Sequence, residues 1–526
     1  MVKIGKKSLS LADFDSVLFG GSKIEVDAEG KKRIKESFDF LESFSSDKMI
    51  YGINTGFGPM APCIISEYDQ HDLQYNLIRS HCSGSGSPIS DVCVKAMMLA
   101  RLNTLAQGNS GIHPEVTELL TEFINKGINP VIYEHGGVGA SGDLVQLAHL
   151  ALSLIGEGEV SYKGEIIPTK KALEENNLTP ISIHFREGLG LMNGTSTMTG
   201  IGITNLIHSK NLFDWSVVAS SFMNEIVEAY DDHFSEELNR VKHHKGQNIV
   251  AQVQRAILHD SSLTRKRDKH LYDQKVEAGI LKDKVQEYYS IRCVPQILGP
   301  VFDTLETSQK ILEDEVNSAN DNPIIDVENQ NVFHGGNFHG DYVALEMDKL
   351  KIAITKLSML SERQLNYLLN HRLNRKLPPF INLGQIGLNF GMQGLQFTAT
   401  STVAENQTLA NPVSIHSISC NNDNQDIVSM GANAALMAKK VIDNSFEVQA
   451  IEMMAIVQAV DYLQFPDKLS SFTRKIYDDI RQIVPKFKND TPKYNDIRKV
   501  KNHLLNNKLN LQQLIPSNGQ EEQVQN

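Results

Sequence analysis

The stretch Glu134-His135-Gly136-Gly137-Val138-Gly139-Ala140-Ser141-Gly142-Asp143-Leu144 holds four glycines in one short run. Glycine lacks the Cβ that bars other residues from much of backbone space. Such a run can fold back tightly enough for a peptide nitrogen to reach a nearby carbonyl. Leu144, Leu147, Ala148, Leu150, Ala151 and Leu154 follow at helical spacing, which predicts an amphipathic helix. Ser141 then sits on a turn at the mouth of a helix, where strain and chemistry often coincide. The plainer alternative is a glycine-rich turn with Ser141 and Asp143 as helix caps. Two common nucleophile and phosphate motifs are excluded. Gly142 follows Ser141 directly, which breaks the Gly-x-Ser-x-Gly pattern, and no Lys-Ser/Thr pair ends the run.

Helical periodicity continues outward from this point. Phe446, Ala450, Met453, Met454, Val457, Val460 and Leu463 form one apolar stripe, closed by Pro466. A second pattern runs from Tyr342 to Leu369, and a third from Ile201 to Tyr230 with the only tryptophan, Trp215. Strand-like pieces appear near Lys48–Ile53 and Val160–Pro168. Long amphipathic helices with few strands imply a mainly α fold built on a helical bundle. A mixed, mostly helical N-terminal domain is expected at 1–199, a helical bundle domain at 200–515, and a polar, disordered tail at 516–526.

Composition narrows the function. The chain has 526 residues and a formal charge of −12, which argues against a nucleic-acid partner. Its five cysteines, at 63, 82, 93, 293 and 420, are scattered and odd in number. Reduced thiols in a cytoplasmic protein are the expectation, with no metal or redox site. His334 and His339 lack carboxylate or cysteine partners at useful spacing. No apolar run is long enough for a membrane helix, and the N-terminus shows no signal peptide.

Further blocks carry candidate chemistry. Tyr51 opens the glycine-punctuated string Tyr51-Gly52-Ile53-Asn54-Thr55-Gly56-Phe57-Gly58; alone, it reads as a turn with a packed tyrosine. Arg292 ends Gln286-Glu287-Tyr288-Tyr289-Ser290-Ile291-Arg292 and offers planar, two-pronged donors for a carboxylate, or a structural ion pair. Asn193 lies in Met192-Asn193-Gly194-Thr195, a turn or cap by itself. Phe338 lies in Gly335-Gly336-Asn337-Phe338-His339-Gly340, and Asn320-Asp321-Asn322-Pro323 reads as scaffold.

Taken together and in this order, these blocks resemble the aromatic amino acid ammonia-lyases and aminomutases. The resemblance runs from Tyr51 to Gln425. It implies that Ala140, Ser141 and Gly142 cyclise to 4-methylidene-imidazol-5-one, with no external cofactor. It implies Tyr51 as general base, with Tyr289 beside the reacting carbon and Arg292 on the substrate carboxylate. Asn193 would bond to the prosthetic group or the substrate amine, and Phe338 would pack beside the ring. Glu287 departs from the aspartate usual in that block. A free tyrosine titrates near about 10, so the base role asks for a helix end or cation nearby; burial works the other way. The family also implies a homotetramer with shared active sites.

Substrate choice is divided between two places. Ser80-His81 resembles the pair in histidine enzymes. Gln425, in Asn424-Gln425-Asp426, stands where those enzymes carry glutamate, and matches the phenylalanine and tyrosine branch. Neutral imidazole can hydrogen-bond to a phenol, so His81 is compatible with tyrosine. Along its length the chain resembles bacterial tyrosine ammonia-lyases, which convert L-tyrosine to trans-4-coumarate. Histidine is the alternative substrate, with phenylalanine and a tyrosine 2,3-aminomutase activity behind it. A fumarase-type lyase and a non-catalytic scaffold on the same fold are disfavoured by the intact blocks.

Overall fold

A computed structural model describes residues 1–46, 48–272, 278–279 and 284–515. The expected disordered tail at 516–526 lies outside the described residues. Helix dominates, as the periodicity predicts. The longest helices are Ser196–Val227, Asp341–Leu369 and Gly431–Leu463, with Val294–Val316 a fourth. Among the described residues, β structure is limited to short ribbons, including the antiparallel pair Glu159–Tyr162 and Glu165–Pro168.

The residues group into two units. One comprises Met1–Ile207, Thr307–Leu350 and Pro412–Lys439; the other comprises His208–Glu306, Lys351–Asn411 and Lys440–Asn526. In the first, Leu147, Ala148, Leu150, Ala151 and Leu154 are fully buried, on the helix Leu144–Leu154. Burying each leucine contributes about 1.5–3 kcal/mol. Polar groups tie the long helices at fixed heights: Asn205 Nδ2 donates to the Ala435 carbonyl at 2.7 Å, and Ser308 Oγ to Glu346 Oε2 at 2.9 Å. Each such bond is a register mark, because a buried donor left unpaired costs about 1–3 kcal/mol.

The second unit is built the same way. Trp215 is fully buried, and its indole N–H donates to the carbonyls of Leu504 and Asn507 at 3.0 and 3.1 Å. Asn406 donates to both Ser358 and Ser445 at 3.2 Å. Phe446, Ala450, Met453, Val457 and Val460 are fully buried along Gly431–Leu463. Among the described residues, no helix is long and apolar enough to cross a membrane.

Lys48–Ile53 is not a strand. The Asn54 side chain accepts from the Ile50 N–H at 2.8 Å and donates to the Lys48 carbonyl at 2.8 Å. A local side chain therefore takes the groups that a ladder would need, and the segment turns instead.

Candidate active site

The glycine-rich run is clamped from several directions. The Gly139 carbonyl accepts from Gly340 N–H at 3.1 Å and from Ser429 Oγ at 2.9 Å. The Val138 carbonyl accepts from Met430 N–H at 2.9 Å. Gly142 pairs with Gly194, and Asp143 N–H donates to the Gly194 carbonyl at 2.8 Å. Gly142 has φ +71°, and a Cβ there would lie 2.0 Å from the Gly194 oxygen. Only a bare backbone fits at that position.

Asp143 does not cap its own helix. Its carboxylate accepts from Met198 N–H at 2.8 Å, in the first turn of Ser196–Val227. Complete burial pushes this carboxyl up to about 7, against the hydrogen bonds that favour its charged form. Asp143 thereby ties the reactive turn to the helix that follows Asn193.

Two amides converge on Ser141. Asn193 Nδ2 donates to the Ser141 carbonyl oxygen at 2.9 Å, and Gln425 Nε2 donates to Ser141 Oγ at 3.0 Å. Asn193 is buried, and its Oδ1 has no hydrogen-bond partner. It stands at the end of the helix Glu187–Met192, with its N–H bonded to the Leu189 carbonyl at 2.9 Å. Behind it lies a buried ion pair, Arg186 Nη2 to Asp321 Oδ1 at 3.2 Å. Losing one member of such a pair strands the other charge and costs about 3–5 kcal/mol. Within the Asn320–Pro323 block, Asp321 and Asn320 brace the Asn193 segment, with Asn320 Nδ2 bonded to Thr195 Oγ1 at 2.9 Å, while Asn322 lines the cavity that holds Ser141.

Tyr51 is held by its own loop. Gly58 N–H donates to the Tyr51 hydroxyl oxygen at 2.9 Å. Gln74 joins this loop to the Asn193 helix, donating to the Gly52 carbonyl at 2.9 Å and accepting from Leu189 N–H at 3.2 Å. His81 ends the helix Gln70–His81. Its Nδ1 lies 2.9 Å from the Leu77 carbonyl oxygen and 3.1 Å from Ser80 Oγ. A carbonyl can only accept, so Nδ1 carries the proton. In the neutral ring Nε2 is then an acceptor.

Tyr51, Ser80, His81, Ser141, Asn193, Phe338 and Gln425 line one cavity of about 360 Å³. That lies within the range usual for small-ligand sites, about 300–1,000 Å³. Ala140, next to Ser141 in the chain, is buried. Phe57, Leu73, Leu144, Leu189 and Asn421 complete much of the wall. Asn421 escaped the sequence reading because an Asn-rich run looks like a turn. Its available signal was that run: Asn421, Asn422 and Asp423 all adopt positive φ, which Asn and Asp tolerate better than most residues.

Tyr289 and Arg292 are not in this cavity. They line another, of about 560 Å³, with Gln286, Arg363, Asn366 and Tyr367. Arg292 donates to Gln286 Oε1 and stacks 4.8 Å from the Tyr289 ring. Tyr289 is largely exposed.

Residues 9–482 match the family model described as aromatic amino acid lyase. The chain belongs to that family and is an enzyme of the ammonia-lyase class. It is 40% identical to a tyrosine 2,3-aminomutase of Chondromyces crocatus, covering 93% of this chain and 94% of the relative. It is also 40% identical to a histidine ammonia-lyase of Bacillus velezensis, covering 93% of each. Among solved structures, the tyrosine aminomutase of Streptomyces globisporus superposes with a TM-score of 0.91 at 35% identity, over 96% of each chain. Family members act on small aromatic amino acids and use the methylidene-imidazolone group.

Proposed function

We propose that this enzyme eliminates ammonia from L-tyrosine to give trans-4-coumarate. The observation that carries the reading is the His81 ring. With Nδ1 committed to the Leu77 carbonyl, Nε2 is left as an acceptor on a residue that lines the Ser141 cavity. A phenol hydroxyl supplies the matching donor, as an imidazole N–H also does; phenylalanine supplies none. A site built to bond a hydroxyl can reject the analogue lacking it by about 10⁴–10⁵. Gln425 is neutral, which favours a phenol over a basic imidazole.

The residues around Ser141 fit the family's prosthetic group. Ring closure through the Gly142 nitrogen asks for an unsubstituted third residue, and the Gly194 contact admits nothing larger. Asn193 and Gln425 would hold the group through the Ser141 carbonyl and the position of its departing hydroxyl. When formed, the group supplies an electrophilic methylidene carbon to the substrate amine. Asn193 Nδ2, already aimed at the Ser141 oxygen, would stabilise negative charge developing there. Tyr51, its oxygen fixed by Gly58, would take the β-proton. Phe338 and Leu189, which line the same cavity, would shield the group from water.

Tyr289 and Arg292 enter this reading through assembly. We infer a homotetramer in which each site combines the Ser141 cavity of one subunit with the Tyr289–Arg292 segment of another. Large apolar side chains exposed on the single chain, such as Phe390, Phe397, Ile415 and Ile418, support assembly.

One observation favours a second reading. The Chondromyces crocatus relative is a tyrosine 2,3-aminomutase at 40% identity, so return of the amine to the β-carbon is the alternative outcome on the same substrate. Histidine is the alternative substrate, supported by the Bacillus velezensis relative. The test is kcat/KM for tyrosine, histidine and phenylalanine on wild type and His81→Leu. Losing a buried hydrogen-bond partner costs about 1–3 kcal/mol, or roughly 5- to 150-fold. His81→Leu should lower tyrosine turnover by that factor and narrow its lead over phenylalanine. An unchanged tyrosine-to-phenylalanine ratio removes His81 from recognition.

A further inference from the structure

The cluster at His113, Glu115 and His184 has no part in the chemistry above. None of the three lines the Ser141 cavity. One ligand atom from each lies within 4.8 Å of the others. Glu115 Oε2 is 3.8 Å from His113 Nδ1. The two imidazoles are stacked, with centroids 4.5 Å apart and planes 29° from parallel. Phe38 meets both edge-on, at 5.0 and 5.6 Å.

The pair is brought together by a buried carboxylate. Glu187 Oε1 accepts from His113 N–H at 2.7 Å, and its Oε2 accepts from His184 N–H. Two segments distant in sequence are thus fastened by their backbones to one side chain, and His113 Nδ1 in addition caps Pro114–Lys126, accepting from the Glu115 N–H at 3.4 Å. Glu115 is exposed, and its side chain can swing without disturbing a core.

We propose that His113, His184 and Glu115 bind a divalent transition-metal ion of the zinc or cobalt class. Zn–N bonds of about 2.0–2.1 Å in a tetrahedral site place donor atoms roughly 3.3 Å apart. The three donors therefore need to close by about 1.5 Å at most, within reach of side-chain rotation at half-buried positions. Two imidazoles and one carboxylate suit zinc, cobalt or nickel; magnesium and calcium prefer all-oxygen sets. Three protein ligands leave the fourth position to water. The ion would tie the first turn of Pro114–Lys126 to the segment entering Glu187–Met192, the helix that ends at Asn193.

Purified enzyme stripped with chelator and titrated with Co²⁺ provides the test. One Co²⁺ per chain is expected, with a visible ligand-field band, no thiolate charge-transfer intensity, and displacement by Zn²⁺. His184→Ala should abolish stoichiometric uptake, and Glu115→Gln should weaken it, with far-UV circular dichroism unchanged. Zn²⁺ should raise the melting temperature of wild type and leave that of His184→Ala where it was. His184→Asn serves in place of His184→Ala should the latter fail to fold. No Co²⁺ uptake by wild type, or equal uptake by wild type and the variants, overturns the proposal.

Discussion

The side-chain amide of Asn193 donates 2.9 Å onto the carbonyl oxygen of Ser141. Asn193 is fixed in turn by the helix it terminates and by its neighbour Gly194, which pairs with Gly142. The donor is in place before any substrate arrives, which is what makes such a contact effective in a dry site.

Removing that donor should therefore damage the chemical step more than binding. Asn193→Ala is expected to lower kcat by about 10²–10³, the usual loss for one preorganised donor, with a smaller change in KM. Steady-state kinetics on the purified variant decide this. A variant with raised KM and unaltered kcat would assign Asn193 to ground-state binding.

Gly142 gives a sharper contrast. Gly142→Ala places a Cβ 2.0 Å from the Gly194 oxygen at φ +71°, whereas Gly127, at φ +67°, has nothing within 4 Å. Gly127→Ala should cost only about 1–2 kcal/mol of stability, the price of a left-handed alanine, and leave the enzyme active. Gly142→Ala should abolish activity and the two-water mass loss that marks ring closure. Intact-mass spectrometry reads both. An unmodified mass in active wild type would remove the cyclised group from the account.

Much of this site is legible in the sequence, since the Ala140–Gly142 triplet and the Tyr51, Asn193 and Gln425 blocks are local strings. What the strings do not carry is placement. Asp143 reads as a cap for the helix beginning at Leu144, yet its carboxylate serves Met198. Tyr289 and Arg292 read as partners of Ser141 in a site shared between subunits, and in the single chain they line a cavity of their own. Lys48–Ile53 has strand-like residues, but Asn54 diverts the backbone groups. Each depends on a partner distant in the chain or on a side chain competing with the backbone. Periodicity registers neither.

Stability should fall as pH rises through neutrality. Complete burial pushes the Glu452 carboxyl up to about 8. Its folded value is above its unfolded one, so the native state keeps a proton that the unfolded chain releases. The stabilisation is full below about 4.5 and is lost as pH climbs to about 8, at up to about 1.4 kcal/mol per pH unit. Glu225, raised to about 7, and Asp214, raised to about 6, act in the same direction. Glu452→Gln should gain on wild type as pH increases. Denaturant titrations at pH 6 and 8.5 check this; a constant difference between the proteins contradicts it.

The proposed sharing of sites between subunits makes a genetic test possible. Ser141→Ala and Arg292→Ala should each be inactive alone. Co-expressed, they should assemble some sites with an intact Ser141 cavity and an intact Arg292, and so recover measurable turnover. Mixed tetramers as inactive as either parent would place both residues in the site of a single subunit.

The most direct test of the account is product analysis of wild-type enzyme supplied separately with L-tyrosine, L-histidine and L-phenylalanine. Chromatography with mass detection should find trans-4-coumarate and an equal amount of ammonia from tyrosine, at a kcat/KM well above those for urocanate from histidine and cinnamate from phenylalanine. Urocanate as the dominant product, or β-tyrosine accumulating without ammonia, would contradict it.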